Sequence, residues 1–259
     1  MGAEFVKSEL HAASPAALAR ETVHWATMGR LRYAEAWALQ ERLFALSVAA
    51  KLERRALNLS SQQGNHYLLL GDHPEVFTLG RNGAEANLLI SPEKLAAEGI
   101  DFFRINRGGD ITFHGPGQLV GYPILDLGCL FTDIGRYLRL IEECVIRVLD
   151  QYGLKGERLP GATGVWLDPD NPFRARKICA IGIRASRWVT MHGFALNVNT
   201  DLDRFRLIVP CGITDKAVTS LQAELGHPAP FEEVRERWLE VFSALFEVNL
   251  THNQEILNH

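Results

Sequence analysis

The spacing of apolar residues predicts three long helices in this chain. Over residues 31–57, apolar side chains such as Leu39 and Leu43 recur every three or four positions, which is the period of a helix with one buried face. The same period runs through residues 133–152 and 231–246. We therefore predict helices over these three segments, the first of them covering one face of a sheet.

Short apolar runs between the helices predict strands, because Gly, Pro, Asn or Asp bounds each run. The runs before the second helix are residues 66–70, 76–79, 102–105, 111–113 and 119–124. After that helix we predict a strand at 164–167, an exposed polar loop at 168–172, and a strand pair, 178–183 and 188–197, that turns near Ala185 and Ser186.

This order of elements predicts a single α+β (mixed α/β) domain in which helices flank a large mixed sheet. We place the domain at residues 24–249. Residues 1–23 are expected to form a poorly ordered N-terminal extension, and residues 250–259 a frayed tail.

Composition narrows the class of protein. The chain has 259 residues and a formal net charge of −4, and this charge argues against a general nucleic-acid binder. No apolar run approaches the roughly 20 residues needed to cross a bilayer, and the N-terminus lacks the apolar core of a secretory signal. The four cysteines show neither CxxC spacing nor an adjacent histidine, so we expect no metal site, no disulfide framework and a cytoplasmic location.

Cys211 is the leading candidate nucleophile. It lies between Pro210 and Gly212, in a turn where a thiol can reach a substrate. A thiol reacts as its thiolate, and a nearby lysine ammonium lowers the pKa of the thiol. Lys177, at the start of a predicted strand, is the candidate for that lysine.

Cys179 is the alternative nucleophile. Residues two apart on a strand share a face, so Cys179 is expected to point the same way as Lys177, with their Cβ atoms roughly 7 Å apart. A thiol in the middle of a strand is usually buried, however, and burial in apolar surroundings raises its pKa. Local pattern therefore favours Cys211, whereas Cys144 fits the core of the second helix.

The glycine-rich segment 107–118 suggests a loop that lines a binding site. Its glycines permit close backbone approach and expose amide N–H groups to a ligand. It matches neither a P-loop nor a GxGxxG motif, so a pair of tight turns is the alternative. Arg107 and His114 flank the glycines and favour the binding loop. For His192, beside Gly193, a structural role and a ligand contact both remain open.

Four motifs in order resemble one enzyme family. They are RGGDITFHGPGQ (107–118), KICAIG (177–182), HGFALN (192–197) and PCGI (210–213). Together they are similar to the octanoyl-[acyl carrier protein]:protein N-octanoyltransferases, the first enzymes of lipoate biosynthesis. The resemblance extends over residues 33–238. Two positions depart from the family pattern: Cys179 replaces a small, alanine-like residue, and Ala217 stands where glycine is common.

The resemblance implies the fold of lipoate-protein and biotin-protein ligases and a catalytic dyad of Cys211 and Lys177. Cys211 would carry the octanoyl group as a thioester between donor and acceptor. The substrate-binding residues that the resemblance implies are Arg81, Arg107, Gly108, Gly109, Asp110, Ile111, Thr112, Phe113, His114, Ala180, Ile181, Gly182, His192, Gly193 and Phe194.

The implied partners are acyl carrier protein, the lipoyl domains of 2-oxoacid dehydrogenase complexes, and the glycine cleavage H protein. No cofactor, neither ATP nor a metal, is expected, since a thioester donor is already activated and the chain has no phosphate loop. Basic residues from Arg174 to Arg187 form either a docking patch for an acidic carrier protein or an ordinary solvated stretch. The alternatives in function are an ATP-dependent lipoate or biotin ligase, an octanoyl amidotransferase, and an inactive binder of lipoyl domains.

Overall fold

The computed structural model describes residues 20–59, 63–209 and 217–258. The α-helices in these residues are α1 (Tyr33–Ala56), α2 (Pro92–Glu98), α3 (Ile134–Asp150), α4 (Leu221–Leu225) and α5 (Phe231–Phe246). The strands are β1 (Thr22–Arg30), β2 (His66–Asp72), β3 (Val76–Leu79), β4 (Asp101–Arg104), β5 (Ile111–His114), β6 (Gln118–Ile124), β7 (Glu157–Leu159), β8 (Ala162–Leu167), β9 (Arg176–Ser186), β10 (Val189–Asn197), β11 (Ala217–Val218) and β12 (Asn249–His252).

One large mixed sheet organises the described residues. Its strands lie in the order β12-β1-β2-β6-β10-β9-β8-β7, and β11 pairs with β9. Strand β1 runs parallel to both of its neighbours, whereas the pairs from β2 to β9 are antiparallel. A smaller sheet has the order β4-β3-β5. The predicted α+β class with a large mixed sheet is confirmed.

Helices cover both faces of the large sheet, as apolar periodicity predicts. On one face, Ala36, Leu39 and Leu43 of α1 are buried with Val120 and Met191 of the sheet. On the other face, α3 and α5 bury a second apolar cluster. There the Trp238 ring of α5 stacks on Phe194 of β10, with 4.5 Å between ring centroids.

The turn between β9 and β10 differs from the prediction. Strand β9 continues to Ser186, so the turn residues are Arg187 and Trp188, with φ of 52° and 66°. A two-residue hairpin turn of this kind needs positive φ at both central positions and usually contains Gly, Asn or Asp. Because an Arg-Trp pair carries no such signal, the prediction placed the turn two residues too early and put Trp188 in the strand.

The C-terminal residues form part of the domain, so the prediction of a frayed tail is wrong. Strand β12 pairs with β1, and the Gln254 side chain donates to the Thr27 carbonyl at 2.7 Å. Ile256 is 1% exposed. The sequence gives no local signal for this packing. The residues before Ile256 are polar, and the strand that they contact, β1, lies more than 220 residues away in sequence.

At the N-terminus, β1 begins within the segment predicted as an extension, and residues 1–19 lie outside the described part of the chain. None of the helices in the described ranges combines the length and the apolar character that a bilayer crossing needs.

Candidate active site

A cavity of about 420 Å³ lies where three parts of the chain meet. One wall is the glycine-rich segment, the second is formed by β9 and β10, and the third is the hairpin between β7 and β8. Leu138 of α3, Phe205, Ala217 and Val218 complete the lining. The volume falls in the range of small-ligand sites.

The glycine-rich segment approaches β9 so closely that side chains are excluded. The Gly108 N–H donates to the Ile183 carbonyl at 2.8 Å. A Cβ atom on Gly182 would lie 2.8 Å from the Gly108 carbonyl oxygen, closer than real Cβ contacts allow. Gly109 adopts a φ of 93°, which favours glycine. The glycines at these positions therefore bring the segment against β9 and shape the cavity wall.

Most of the substrate-binding residues predicted from the glycine-rich segment line the cavity. They are Arg107, Gly108, Gly109, Asp110, Ile111, Thr112 and His114. Phe113 is outside the lining and packs in a core cluster with Phe77 and Phe205. Arg81 is exposed and also outside the lining, and its backbone N–H donates to the Arg107 carbonyl at 2.9 Å.

Arg107 is a buried cation that braces the segment. Its guanidinium donates to the Thr78 carbonyl at 2.8 Å, to the Thr78 hydroxyl at 3.1 Å and to the Gly108 carbonyl at 3.1 Å. The side chain is 8% exposed. These bonds join the cavity wall to β3, so Arg107 fixes the position of the glycines that follow it.

His114 belongs to a directional hydrogen-bond network. Gln118 Nε2 donates to the Phe113 carbonyl and to Asn197 Oδ1, so Gln118 Oε1 is the acceptor for His114 Nδ1–H at 2.8 Å. Asn197 Nδ2 in turn donates to the Thr219 carbonyl at 2.9 Å. The network thus connects the glycine-rich segment to the residue that follows β11.

Burial keeps the His114 ring neutral near pH 7. Loss of solvation, followed by the neighbouring His73 ring, lowers the pKa of His114 to about 3. The ring also stacks on Tyr33 at a centroid distance of 5.9 Å. A neutral ring with a fixed tautomer suits a hydrogen-bonding role in the cavity wall.

Lys177 brings a cation to the opposite wall. Its Nζ donates to the Thr163 carbonyl at 3.3 Å and lies 4.6 Å from the centre of the Trp166 ring. A cation over an indole face is stabilised by the ring quadrupole. Trp166 also lines the cavity, and the sequence analysis missed it. The sequence feature that could have indicated it is a tryptophan in the predicted strand 164–167, which precedes the strand of Lys177 along the chain.

Cys179 points away from Lys177, so the prediction that the two share a face is wrong. Trp166 pairs with Lys177 and Val165 with Cys179, which leaves Ile178 as an extra residue of β9. Because adjacent residues of β8 face opposite sides, this bulge places Lys177 and Cys179 on opposite faces. Cys179 is fully buried in the core and outside the lining, and burial raises the pKa of its thiol.

Cys211 lies outside the described residues. Phe205 and Ala217, each six positions from it in sequence, line the cavity. Ala217 pairs with Arg176, and Val218 with Lys177. The described chain on both sides of Cys211 therefore lies at the cavity that contains Lys177.

The remaining predicted residues divide between lining and core. Ala180, Ile181, Gly182, Gly193 and Phe194 line the cavity, whereas His192 does not. The His192 ring is buried, and its Nε2–H donates to Asn106 Oδ1 at 2.8 Å. Burial, followed by the charges of Arg107 and Arg184, lowers the pKa of His192 to about 3. This geometry agrees with a structural role for His192.

Carboxylates neutralise much of the basic stretch from Arg174 to Arg187. Arg176 bonds to both oxygens of Glu224 at 2.6 Å and to Asp168 at 2.6 Å. Arg184 pairs with Glu41 at 3.1 Å, and Arg174 with Asp168 at 3.3 Å. These ion pairs reduce the positive charge that the stretch presents to solvent. The sequence did not reveal the pairs, because the acids are distant in sequence or lie across a loop.

One group of potential metal ligands occurs among the described residues, away from the cavity. Atoms of Glu21, His66 and Cys129 lie within 4.8 Å of one another. However, His66 Nδ1 accepts from the Asp126 N–H at 3.1 Å, so His66 Nε2 carries the proton and donates to Glu21 at 3.0 Å. Hydrogen bonds therefore account for this group without an ion.

Comparisons with known proteins identify the family. The model of the lipoyl protein ligase A/B catalytic domain matches residues 32–243. The octanoyltransferase of Christiangramia forsetii is 56% identical over 226 residues, covering 87% of this chain and 96% of the relative. The octanoyltransferase of Flavobacterium psychrophilum is 52% identical over 228 residues, covering 88% and 97% of the two chains.

Solved structures confirm the ligase-type fold. A bi-partite lipoate protein ligase from Thermoplasma acidophilum matches with a TM-score of 0.62 at 16% identity, covering 92% of this chain and 90% of the other. A lipoate-protein ligase A bound with ATP matches with a TM-score of 0.63 at 16% identity, covering 92% and 93%. At this identity the likeness concerns the fold alone. Sequence and fold together show that the chain belongs to the lipoyl protein ligase A/B catalytic-domain family and, within it, to the octanoyltransferases.

Proposed function

We propose that this chain transfers an octanoyl group from octanoyl-acyl carrier protein to a lysine of lipoyl domains, through a thioester on Cys211. The acceptors would be the lipoyl domains of 2-oxoacid dehydrogenase complexes and the glycine cleavage H protein. The observation that carries the proposal is that one cavity is lined by Lys177 and by Phe205 and Ala217, each of which lies six positions from Cys211 in sequence. Relatives named octanoyltransferase at up to 56% identity support the same acyl group.

The cavity suits an acyl chain beside a reactive polar end. Its apolar lining residues include Leu138, Ile181, Phe194, Phe205 and Val218. Burying a hydrocarbon chain against such side chains is favourable by about 0.8 kcal/mol per methylene. Lys177 and the backbone of Gly109 line the same cavity. We therefore place the octanoyl tail among the apolar residues and its carbonyl near Lys177.

In the first step, the Cys211 thiolate attacks the thioester carbonyl of the donor. The Lys177 ammonium favours the thiolate form of a nearby cysteine, and the Gly109 N–H is a candidate donor to the oxyanion that develops. The carbonyl then re-forms, and the carbon–sulfur bond to the phosphopantetheine breaks. The pantetheine sulfur takes a proton from the Lys177 ammonium, which leaves Lys177 neutral, and the octanoyl group remains on Cys211 as a thioester.

In the second step, the amine of the acceptor lysine attacks that thioester. The new carbon–nitrogen bond forms the amide, the bond to the Cys211 sulfur breaks, and the amine loses a proton. Lys177 in its neutral form is the proposed proton acceptor. Since an amide is more stable than a thioester, we propose that the transfer requires neither ATP nor a metal.

Intact-protein mass spectrometry tests the intermediate. The enzyme is mixed with octanoyl-acyl carrier protein in the absence of ATP, beside the variants Cys211→Ala and Cys179→Ala. We expect one added octanoyl group on the wild type and on Cys179→Ala, and none on Cys211→Ala. Cys179→Ala is the matched control, because it removes the buried thiol on the other face of β9.

Two outcomes would contradict the proposal. An adduct that persists in Cys211→Ala would move the acyl group to another residue, such as Cys179 or Lys177. If no protein gains mass, and an added lipoyl domain is octanoylated only when octanoate and ATP are supplied, the chain activates a free acid instead.

A further inference from the structure

Glu142 is a carboxylate buried in the core face of α3, where a charge is costly. It is 1% exposed. Its Oε2 accepts from Arg158 Nε at 3.0 Å, its Oε1 accepts from Arg139 Nη2 at 3.2 Å, and Arg139 Nε lies 2.7 Å from Oε2. Its Oε1 accepts from the Gly164 backbone N–H at 3.0 Å. The two arginines compensate the charge, but an apolar side chain at this position would need no compensation at all.

The bond to Gly164 connects Glu142 to the cavity wall. Gly164 N–H and the Thr163 carbonyl belong to one peptide group, and that carbonyl accepts from Lys177 Nζ at 3.3 Å. The peptide group therefore lies between a buried carboxylate and the lysine. An anion that accepts from the N–H of a peptide group makes its carbonyl a stronger acceptor, because successive hydrogen bonds polarise one another.

The backbone at Gly164 is shaped for this contact. Gly164 has a φ of 126°, and a Cβ atom there would lie 2.5 Å from the Cys179 carbonyl oxygen and 3.5 Å from Lys177 Cε. Only glycine adopts this backbone readily. The hairpin between β7 and β8 therefore lies directly against Lys177, and the Glu142 carboxylate anchors it from the core side.

We infer that Glu142 is a positioning residue for Lys177: through the peptide group of Thr163 and Gly164, its carboxylate holds the lysine ammonium at the cavity. This inference deepens the proposed function, because the placement of Lys177 affects transfer only if Lys177 assists Cys211. It also gives a reason to keep a carboxylate in the core.

The size of the effect follows from the hydrogen bonds. When the carboxylate no longer accepts from the Gly164 N–H, the Thr163 carbonyl becomes a weaker acceptor and holds the Lys177 amine less firmly. The low end of the net contribution of one hydrogen bond corresponds to about a 2-fold change in the release of the amine.

Trace labelling of lysine amines measures how readily the Lys177 amine is released for reaction. The full-length protein is treated with limiting acetic anhydride, which reacts with the unprotonated amine. Mass spectrometry then gives the labelling rate of Lys177, normalised to the exposed Lys94. The variants are Glu142→Gln, which leaves an acceptor for Gly164, and the control Glu143→Gln. Glu143 also pairs with Arg158, at 2.8 Å, and is not the residue that bonds to Gly164.

We expect Glu142→Gln to label at Lys177 at least about 2-fold faster than wild type, and Glu143→Gln to label at the wild-type rate. Equal rates in the two Gln variants would overturn the inference. If Glu142→Gln does not melt cooperatively, Glu142→Asp decides. Its shorter side chain draws back from Gly164, so Lys177 should label faster than in Glu143→Asp, and equal rates would overturn the inference as well.

Octanoyl transfer measured over pH in the same variants separates this inference from the proposed function. Faster labelling together with an altered pH profile of transfer supports both. Faster labelling with an unchanged pH profile supports the role of Glu142 and overturns the role of Lys177 in transfer, because labelling does not depend on catalysis.

Discussion

Acidification below about pH 6.5 is expected to destabilise the fold through two buried histidines, His114 and His192. Burial lowers the pKa of each ring to about 3, whereas a histidine in the unfolded chain titrates near 6.5. Between these values the unfolded state binds protons that the native state does not. The free energy of unfolding therefore falls as pH falls through this window.

The magnitude at pH 5 depends almost entirely on the unfolded chain. There the native rings are neutral, and each unfolded ring sits about 1.5 pH units below its pKa. Each histidine then costs about 2 kcal/mol of stability, and the pair about 4 kcal/mol. Burial also lowers the pKa of His73, so its contribution has the same sign. Since domains are stable by roughly 5–15 kcal/mol, this loss is a large part of the total.

Urea denaturation followed by circular dichroism at pH 7, 6 and 5 measures the loss. The test variant is His192→Asn, because His192 has a φ of 57° and asparagine tolerates that region. Its loss of stability between pH 7 and pH 5 should be about 2 kcal/mol smaller than that of wild type. The control His227→Asn, at an exposed position, should lose as much as wild type.

Between pH 7 and pH 5 the carboxylates contribute little to the change in stability. Hydrogen bonds lower the pKa values of Glu21, Glu143 and Glu224. Their contributions are lost only below the unfolded carboxyl values, near 4.3. An equal pH dependence in wild type and His192→Asn would show that His192 is not neutral in the native state, and would refute the reasoning.

Two further predictions concern the proposed chemistry and the C-terminus. The variant Lys177→Arg should still form the acyl-enzyme, but its rate of amide formation should be at least about 100-fold lower, because arginine cannot accept a proton. Single-turnover transfer from the isolated acyl-enzyme measures this rate. Full activity of the variant would exclude a proton-accepting role for Lys177. Ile256→Ala should lower the free energy of unfolding by about 2–4 kcal/mol, because the side chain is buried. Glu255→Ala, at the exposed neighbouring position, should change the free energy of unfolding by less than about 0.5 kcal/mol in the same urea titration. Equal effects of the two substitutions would support a frayed tail after all.

Elements with a strong local pattern were predictable from the sequence. Helix α5 occupies the predicted residues 231–246, because its apolar positions repeat at the helical period over four turns. Strands β2 to β6 likewise fall where apolar runs are bounded by turn residues. In each case the information lies within one element.

Features that depend on distant partners were not predictable in this way. The network from His114 and Gln118 through Asn197 to Thr219 joins three separate parts of the sequence. The pairing of β12 with β1 joins the two ends of the described chain. No local period in the sequence encodes such pairings. Only the resemblance of the motifs to a known family indicated that the glycine-rich segment and β10 belong to one site.

The bulge at Ile178 shows how one extra residue determines the chemistry of the cavity. With strict alternation, Lys177 and Cys179 would share a face, and a thiol would lie in the wall beside the lysine. The bulge instead pairs Lys177 with Trp166 and directs Cys179 into the core. Gly164, on the neighbouring strand, then brings the Thr163 carbonyl to the ammonium. The cavity wall therefore holds a lysine with an aromatic and a peptide partner, while the competing thiol is sequestered on the other face of β9.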